Sequence, residues 1–357
     1  MPEDIDAAVK ASASNFGSKD KPRRLIDTKT VKLVDFHDAT DIDAIPPYAI
    51  LSHRWIEGEE VGIQELVQIQ ELSNGDDEET AKLKKRSGYR KILQACLKAR
   101  NDKIDYVWVD TCCINKSDHG EVARNIKSMY AYYENAQVCY VYLSDVYRPK
   151  HLIQTLGTEL AEIGRYCRWR RHFWGVKGRF EDSEWFQRGW TLQELLAPTN
   201  VVFFDRDWNR IGNKTQPELS PIISSITGIP RSVLDGNVPV REVDAWSRMS
   251  WAIGRKTTRP QDQAYCLFGI LSVTMDLDYE EDVKTAFSRL QKSMVKAHPD
   301  KYEGSSLADR GDELYVMLFY HNILSRLGWP TREELKMPEN DLARFSPLSP
   351  SFQRCDQ

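Results

Sequence analysis

Four short apolar runs, Tyr48–His53, Tyr106–Asp110, Val138–Leu143 and Val201–Phe204, do most to constrain what this chain can fold into. Each is apolar almost without alternation, the pattern of a strand covered on both faces. Between the first three, apolar residues recur at helical spacing: Tyr89, Ile92, Leu93, Cys96 and Leu97, then Val122, Ile126, Met129, Tyr130 and Tyr133. Asp118 and Glu121 make a capping-box-like start for the second helix. Strand and helix in alternation imply right-handed crossovers and a parallel sheet flanked by helices, an α/β fold. Thr30–Phe36 alternates enough for an edge strand, and Asp76–Arg86 reads as an acidic-to-basic loop.

In such sheets ligands bind beyond the carboxyl ends of the strands. That rule gathers Ser52, His53, Asp110 and Ser144 on one edge. The segment Ser183–Leu195 follows the third strand after an insertion and is expected to lean over the same edge. Within it Trp190 and Glu194 stand four apart, a spacing that puts both on one helix face. A carboxylate against a flat aromatic surface can bind and cleave a ribosyl compound; the alternative is a solvated glutamate near a packed tryptophan.

With 357 residues, 10 Trp, 15 Tyr and 12 Phe, the chain can bury a large core. The expected organisation is a polar, flexible lead over 1–24, an α/β domain over 25–212 with an insertion at about 148–182, and a mainly helical extension over 213–357. The extension's helices are read at Asp244–Gly254, Asp262–Leu271 and Asp282–Met294. A net charge of −4 gives no bulk attraction to nucleic acid or acidic membranes. No apolar run approaches membrane-spanning length, and the acidic start lacks the order of a secretory signal, so a cytoplasmic protein is expected. Seven irregularly spaced cysteines suit reduced thiols, and no zinc, calcium or P-loop pattern occurs, so neither metal nor resident cofactor is expected. In the insertion, Arg165, Arg168, Arg170, Arg171, Lys177 and Arg179 interleave with Trp169, Phe173, Trp174 and Phe180. That mixture suits first a self-association surface, then a nucleotide lid, and last a nucleic-acid site.

Three blocks carry a family resemblance: Tyr48–Trp55, Trp108–Lys116 and Arg188–Leu196. In this order they resemble the blocks of the fungal HET (heterokaryon incompatibility) domain, over roughly residues 30–210. The stretch Met249–Ile270 resembles the segment that follows the domain in members fused to nucleotide-binding and WD-repeat modules. The chain is thus expected to be a stand-alone member or the amino-terminal part of a longer protein, with such a sensor module as a partner in the same or another chain. Asn115-Lys116 replaces the family's usual Asn-Gln, and Tyr279–Asp282 replaces its Tyr-Gly-Glu-Gly. The HET core is held to be distantly similar to the TIR fold, which implies a TIR-like, flavodoxin-like sheet. Trp190-Thr191-Leu192-Gln193-Glu194-Leu195 resembles the TIR motif whose glutamate is catalytic for NAD cleavage.

The resemblance implies a cell-death effector that hydrolyses NAD+ as its substrate after self-association, with Glu194 catalytic. Ser52, His53, Arg54, Trp55, Asp110 and Trp190 are then its candidate substrate-binding residues. Each keeps a structural alternative: Ser52 and His53 can satisfy backbone groups at a strand end, Asp110 can cap a turn, and Trp190 can pack in the core. A rival enzyme would use Cys112 or Cys113 as nucleophile with His53 or His119 as base. A rival outside catalysis is an assembly module that triggers death by recruiting partners.

Overall fold

The computed structural model describes residues 20–36, 42–71, 77–147 and 179–299. The lead over 1–19, the tail from 300 and most of the insertion, with Arg165, Arg168, Trp169, Arg170, Arg171, Phe173, Trp174 and Lys177, lie outside the described residues.

A seven-stranded sheet runs in the order β2-β1-β4-β3-β5-β6-β7. Its strands are β1 (Arg24–Asp27), β2 (Leu33–Asp35), β3 (Tyr48–His53), β4 (Tyr106–Trp108), β5 (Val138–Tyr142), β6 (Val201–Phe204) and β7 (Arg210–Asn213). The four apolar runs are its centre, where β4, β3, β5 and β6 lie parallel. All six residues of β3 and all four of β6 are buried, as unbroken apolar runs require. Antiparallel pairings extend this parallel centre at both edges, β1 with β2 and β4, and β7 with β6. The β1–β2 and β6–β7 links are too short for a parallel crossover. The β6–β7 turn is built on the buried Asp205, whose Oδ1 accepts from the backbone N–H groups of Asp207 (3.0 Å) and Asn209 (2.8 Å).

β1 begins at Arg24, at the end of the segment read as a polar lead. Its charge hid it: the Arg24 guanidinium reaches Glu121 at 2.7 Å and donates to the Cys113 carbonyl at 3.1 Å. Helices α1 (Ile63–Glu71), α2 (Glu78–Lys85) and α3 (Ser87–Asn101) cross from β3 to β4. The expected loop at Asp76–Arg86 is corrected to α2, capped by Asp77, whose carboxylate accepts from Thr80 N–H at 2.7 Å. A short α4 (Asp110–Cys113) follows β4, and α5 (His119–Glu134) leads to β5 with Asp118 as the expected cap, accepting from Glu121 N–H at 2.9 Å.

α6 (Thr191–Leu196) precedes β6, and every residue in it is buried. Beyond the sheet come α7 (Ser220–Thr227), α8 (Arg231–Leu234), α9 (Ala245–Ser250), α10 (Asp262–Tyr265), α11 (Phe268–Leu271) and α12 (Val283–Ala297). Asp244 and Asp282 cap α9 and α12 where the helical reading began them, while Asp262–Leu271 divides into two short helices. Among the described residues, no helix is long and apolar enough to cross a membrane.

Candidate functional site

β3 ends at Ser52 and His53, and successive side chains of a strand point to opposite faces. The two residues accordingly serve two different clusters. Ser52 is fully buried; its hydroxyl accepts from the Trp185 indole N–H at 2.8 Å and donates to Oε2 of Glu194. Trp185 stands on a short 3-10 turn, Glu184–Gln187, started by Ser183, whose own hydroxyl bonds Asp145 at 2.8 Å just beyond β5. A strand end, a capped turn and α6 thus converge on one carboxylate.

Glu194 retains 9% exposure. Burial raises its pKa to about 7, helped by the nearby negative charge of Asp110 and opposed by the Ser52 hydroxyl, Arg188 and Tyr133. A carboxyl poised there carries negative charge in about half of molecules at neutral pH and can either give or hold a proton.

On the other side His53 is 5% exposed, with Nε2 lying 3.4 Å from Glu60 Oε2 and 4.0 Å from Asp110 Oδ1. Neither approach has the alignment of a hydrogen bond. Burial and the neighbouring Lys91 ammonium lower the His53 pKa. Burial opposes the charge on Glu60, yet His53 and Lys91 outweigh it and hold its carboxyl at about 2. Lys91, itself buried on α3, bonds Glu60 directly. Gly88 allows this: a Cβ there would stand 2.4 Å from the Glu59 carbonyl and 2.8 Å from Glu60 Cα, so only glycine lets the 59–61 segment lie on α3.

Asp110 receives the Trp55 indole N–H at Oδ2, 2.9 Å. Arg54 is half-exposed and paired with Glu184 at 2.5 Å. Ser52, His53, Arg54, Trp55, Asp110 and Glu194 therefore lie around the carboxyl ends of β3 and β4. Trp190 is placed differently. It is the N-cap of α6, and its indole donates to Asp262 Oδ2 on α10 at 3.2 Å. The tryptophan bonded toward Glu194, through Ser52, is Trp185. Cys112 is fully buried, and desolvation pushes its thiol well up, the opposite of what a nucleophile requires. Among the described residues, no group of three or more His, Cys, Asp or Glu could hold a metal ion.

Sequence reasoning missed Glu60, Lys91, Trp185, Asp262 and Arg255. Lys91 had a signal: it is a cation within the buried stripe of Gly88, Ile92, Ala95 and Ala99. Arg255, 3% exposed, fastens the segment before Glu194. It donates to the carbonyls of Trp251 and Arg188, both at 3.0 Å, and to Thr191 Oγ1 at 3.2 Å. Beside it the backbones of Gly189 and Lys256 bond at 2.8 Å, and those of Lys256 and Gln187 at 2.6 Å. The helical extension is thereby part of the site's frame. Lysine cannot reproduce Arg255's fork, so Arg255→Lys is expected to cost about 2 kcal/mol in urea unfolding, the scale of a lost hydrogen bond from a charged group.

The three sequence blocks that resemble the HET domain supply this rim, on β3, the β4–α4 junction and α6. Residues 48–194 match the family described as Heterokaryon incompatibility protein (HET), and the chain belongs to it. It is similar to Vegetative incompatibility protein HET-E-1 of Podospora anserina, with 40% identity over 252 residues. That alignment takes in 71% of this chain but 16% of the relative, so the chain spans a small part of the relative's length. No solved structure matches it.

Proposed function

We propose that this chain is a heterokaryon-incompatibility cell-death effector that hydrolyses NAD+ to nicotinamide and ADP-ribose, with Glu194 as the catalytic group. One observation carries the reading: the Glu194 carboxylate is buried at the rim of the parallel strands, tied to Ser52 and poised near neutrality. In this reaction the bond from ribose C1′ to the pyridinium nitrogen breaks, and its electron pair neutralises the departing ring. The leaving group needs no proton, so the paired carboxylates of ordinary glycosidases are unnecessary. Positive charge develops on the ribose, and ionised Glu194 stabilises it electrostatically. Water then bonds to C1′ and releases one proton. The similarity to a vegetative incompatibility protein supports the incompatibility role, and the TIR-like motif around Glu194 supports NAD+ cleavage.

A second reading is favoured by the low exposure of Glu194, whose bond to Ser52 also suits a purely structural role. On that reading the chain triggers death by self-assembly and recruitment of partners, without chemistry. Incubating the purified chain with NAD+ and resolving products by chromatography separates the two. Stoichiometric nicotinamide and ADP-ribose are expected; an intact dinucleotide after prolonged incubation with self-associated protein leaves only the assembly role.

A further inference from the structure

We propose that Trp55, Asp110 and His53 form the subsite for a ribonucleoside with a positively charged base. On the hydrolytic reading above, on which this identification of the ligand rests, it is the nicotinamide riboside half of NAD+.

Trp55 is 40% exposed, an unusual fate for the largest apolar side chain. It is nevertheless held in place, because its indole N–H donates to Asp110 Oδ2 at 2.9 Å. A fixed, open aromatic face at the ends of β3 and β4 is a stacking platform. A cation already occupies that platform: the Lys116 ammonium lies 3.6 Å from the ring centroid. Lys116 is exposed, on a flexible stem, and exchanges its place for water at little cost. What the indole face attracts is therefore positive charge, and an oxidised pyridinium ring offers it with better shape than an ammonium.

Behind the platform, three buried polar atoms have no aligned hydrogen bond. Asp110 Oδ1 and both ring nitrogens of His53 are buried without an aligned hydrogen bond; Nε2 lies 3.4 Å from Glu60 Oε2 and 4.0 Å from Asp110 Oδ1. Since Trp55 engages the other oxygen of Asp110, Oδ1 is turned toward the imidazole. Buried polar atoms in a folded protein are almost always satisfied, so this pair calls for a group that both donates and accepts. A ribose hydroxyl does so, donating to Asp110 Oδ1 and accepting from an imidazole N–H. The depressed pKa of His53 keeps the ring neutral at pH 7, which preserves one N–H and one lone pair.

Binding to the Glu194→Gln chain, which cannot turn the ligand over on this reading, tests the subsite by calorimetry with NAD+ and with NADH, whose reduced ring is neutral. NAD+ is expected to bind roughly tenfold more tightly, about 1.4 kcal/mol, within the range of a desolvated cation–π contact. Adding Trp55→Ala should erase the difference by weakening NAD+ alone, Trp55→Phe should keep part of it, and Lys116→Ala should strengthen NAD+ severalfold by removing the competing cation. Adding Asp110→Asn should weaken both dinucleotides, since both carry the ribose hydroxyl. Equal affinities for the two ring states, no binding of NAD+, or an unchanged preference in Trp55→Ala would overturn the subsite. Nicotinamide release by the unsubstituted chain is read separately: release without ring-state preference sinks the subsite alone, and preference without release sinks hydrolysis alone.

Discussion

Glu194→Gln is expected to lower nicotinamide release from NAD+ by at least about 10³-fold, roughly 4 kcal/mol of transition-state stabilisation. The substitution isolates charge. Gln can still accept the Ser52 hydroxyl through its amide oxygen, so the bonds joining β3, the Trp185 turn and α6 persist. Only the negative charge facing the ribose is removed. The pH dependence gives a second, independent reading. If ionised Glu194 is the working form, kcat/KM of the unsubstituted chain rises about tenfold between pH 6 and pH 8, following a pKa of about 7.

Stability moves the other way. The carboxyl binds its proton more tightly in the fold, at about 7, than at its ordinary value of 4.5. The folded state thus holds more protons between those values, and stability falls as pH rises through that window. Below it and above it this group contributes no slope. Glu194→Gln lacks the term, so its stability relative to the unsubstituted chain should improve by on the order of 3 kcal/mol between pH 4.5 and pH 7. Urea unfolding of both chains at several pH values measures the difference. Near-normal turnover in a folded Glu194→Gln chain would remove the residue from the mechanism.

The central strands were legible because burial on both faces leaves an unbroken apolar signature, and β3 through β6 carry it. The edges were not. β1 depends on an arginine whose partners lie 89 and 97 residues away, and β7 is a short hairpin return with one buried residue of four. The rule that ligands gather at strand ends placed Ser52, His53 and Asp110 on one edge, and the fold brings them together there. Trp190 stands at the N-cap of α6 with helical backbone angles, and its indole bonds Asp262, a contact 72 residues away that spacing alone does not reveal. Glu60 and Arg255 were illegible for a different reason. Lys91 beside Glu60, and Arg188 and Thr191 beside Arg255, are distant in sequence, and single charged residues in turns look solvated until the fold surrounds them.

That dependence on distant contacts makes Gly269 a position where a single added methyl should do great damage to the fold. Gly269 lies on α11, packed against α5 so closely that a Cβ would stand 2.0 Å from Tyr130 Cβ and 2.2 Å from its Cγ. Side-chain rotation cannot relieve this, since Cβ is fixed by the α5 backbone. Tyr130→Ala would keep the same atom in place and so is not expected to rescue it. The two helices must move apart, opening a void around Phe268 and Ile270, which are 2% and 0% exposed. Overpacking of this severity lies beyond the usual 1–3 kcal/mol, and a loss on the order of 4 kcal/mol is expected for Gly269→Ala in urea unfolding. The damage should also reach the site. The Ile270 carbonyl accepts from Arg248 on α9 at 2.5 Å, and α9 runs into the segment that carries Arg255 to Arg188 and Thr191. Gly269→Ala should therefore raise the hydrogen-exchange rates of the 187–191 amides even in dilute buffer, where the chain is still folded. Protection there equal to that of the unsubstituted chain would show that α6 keeps its place without the helical extension.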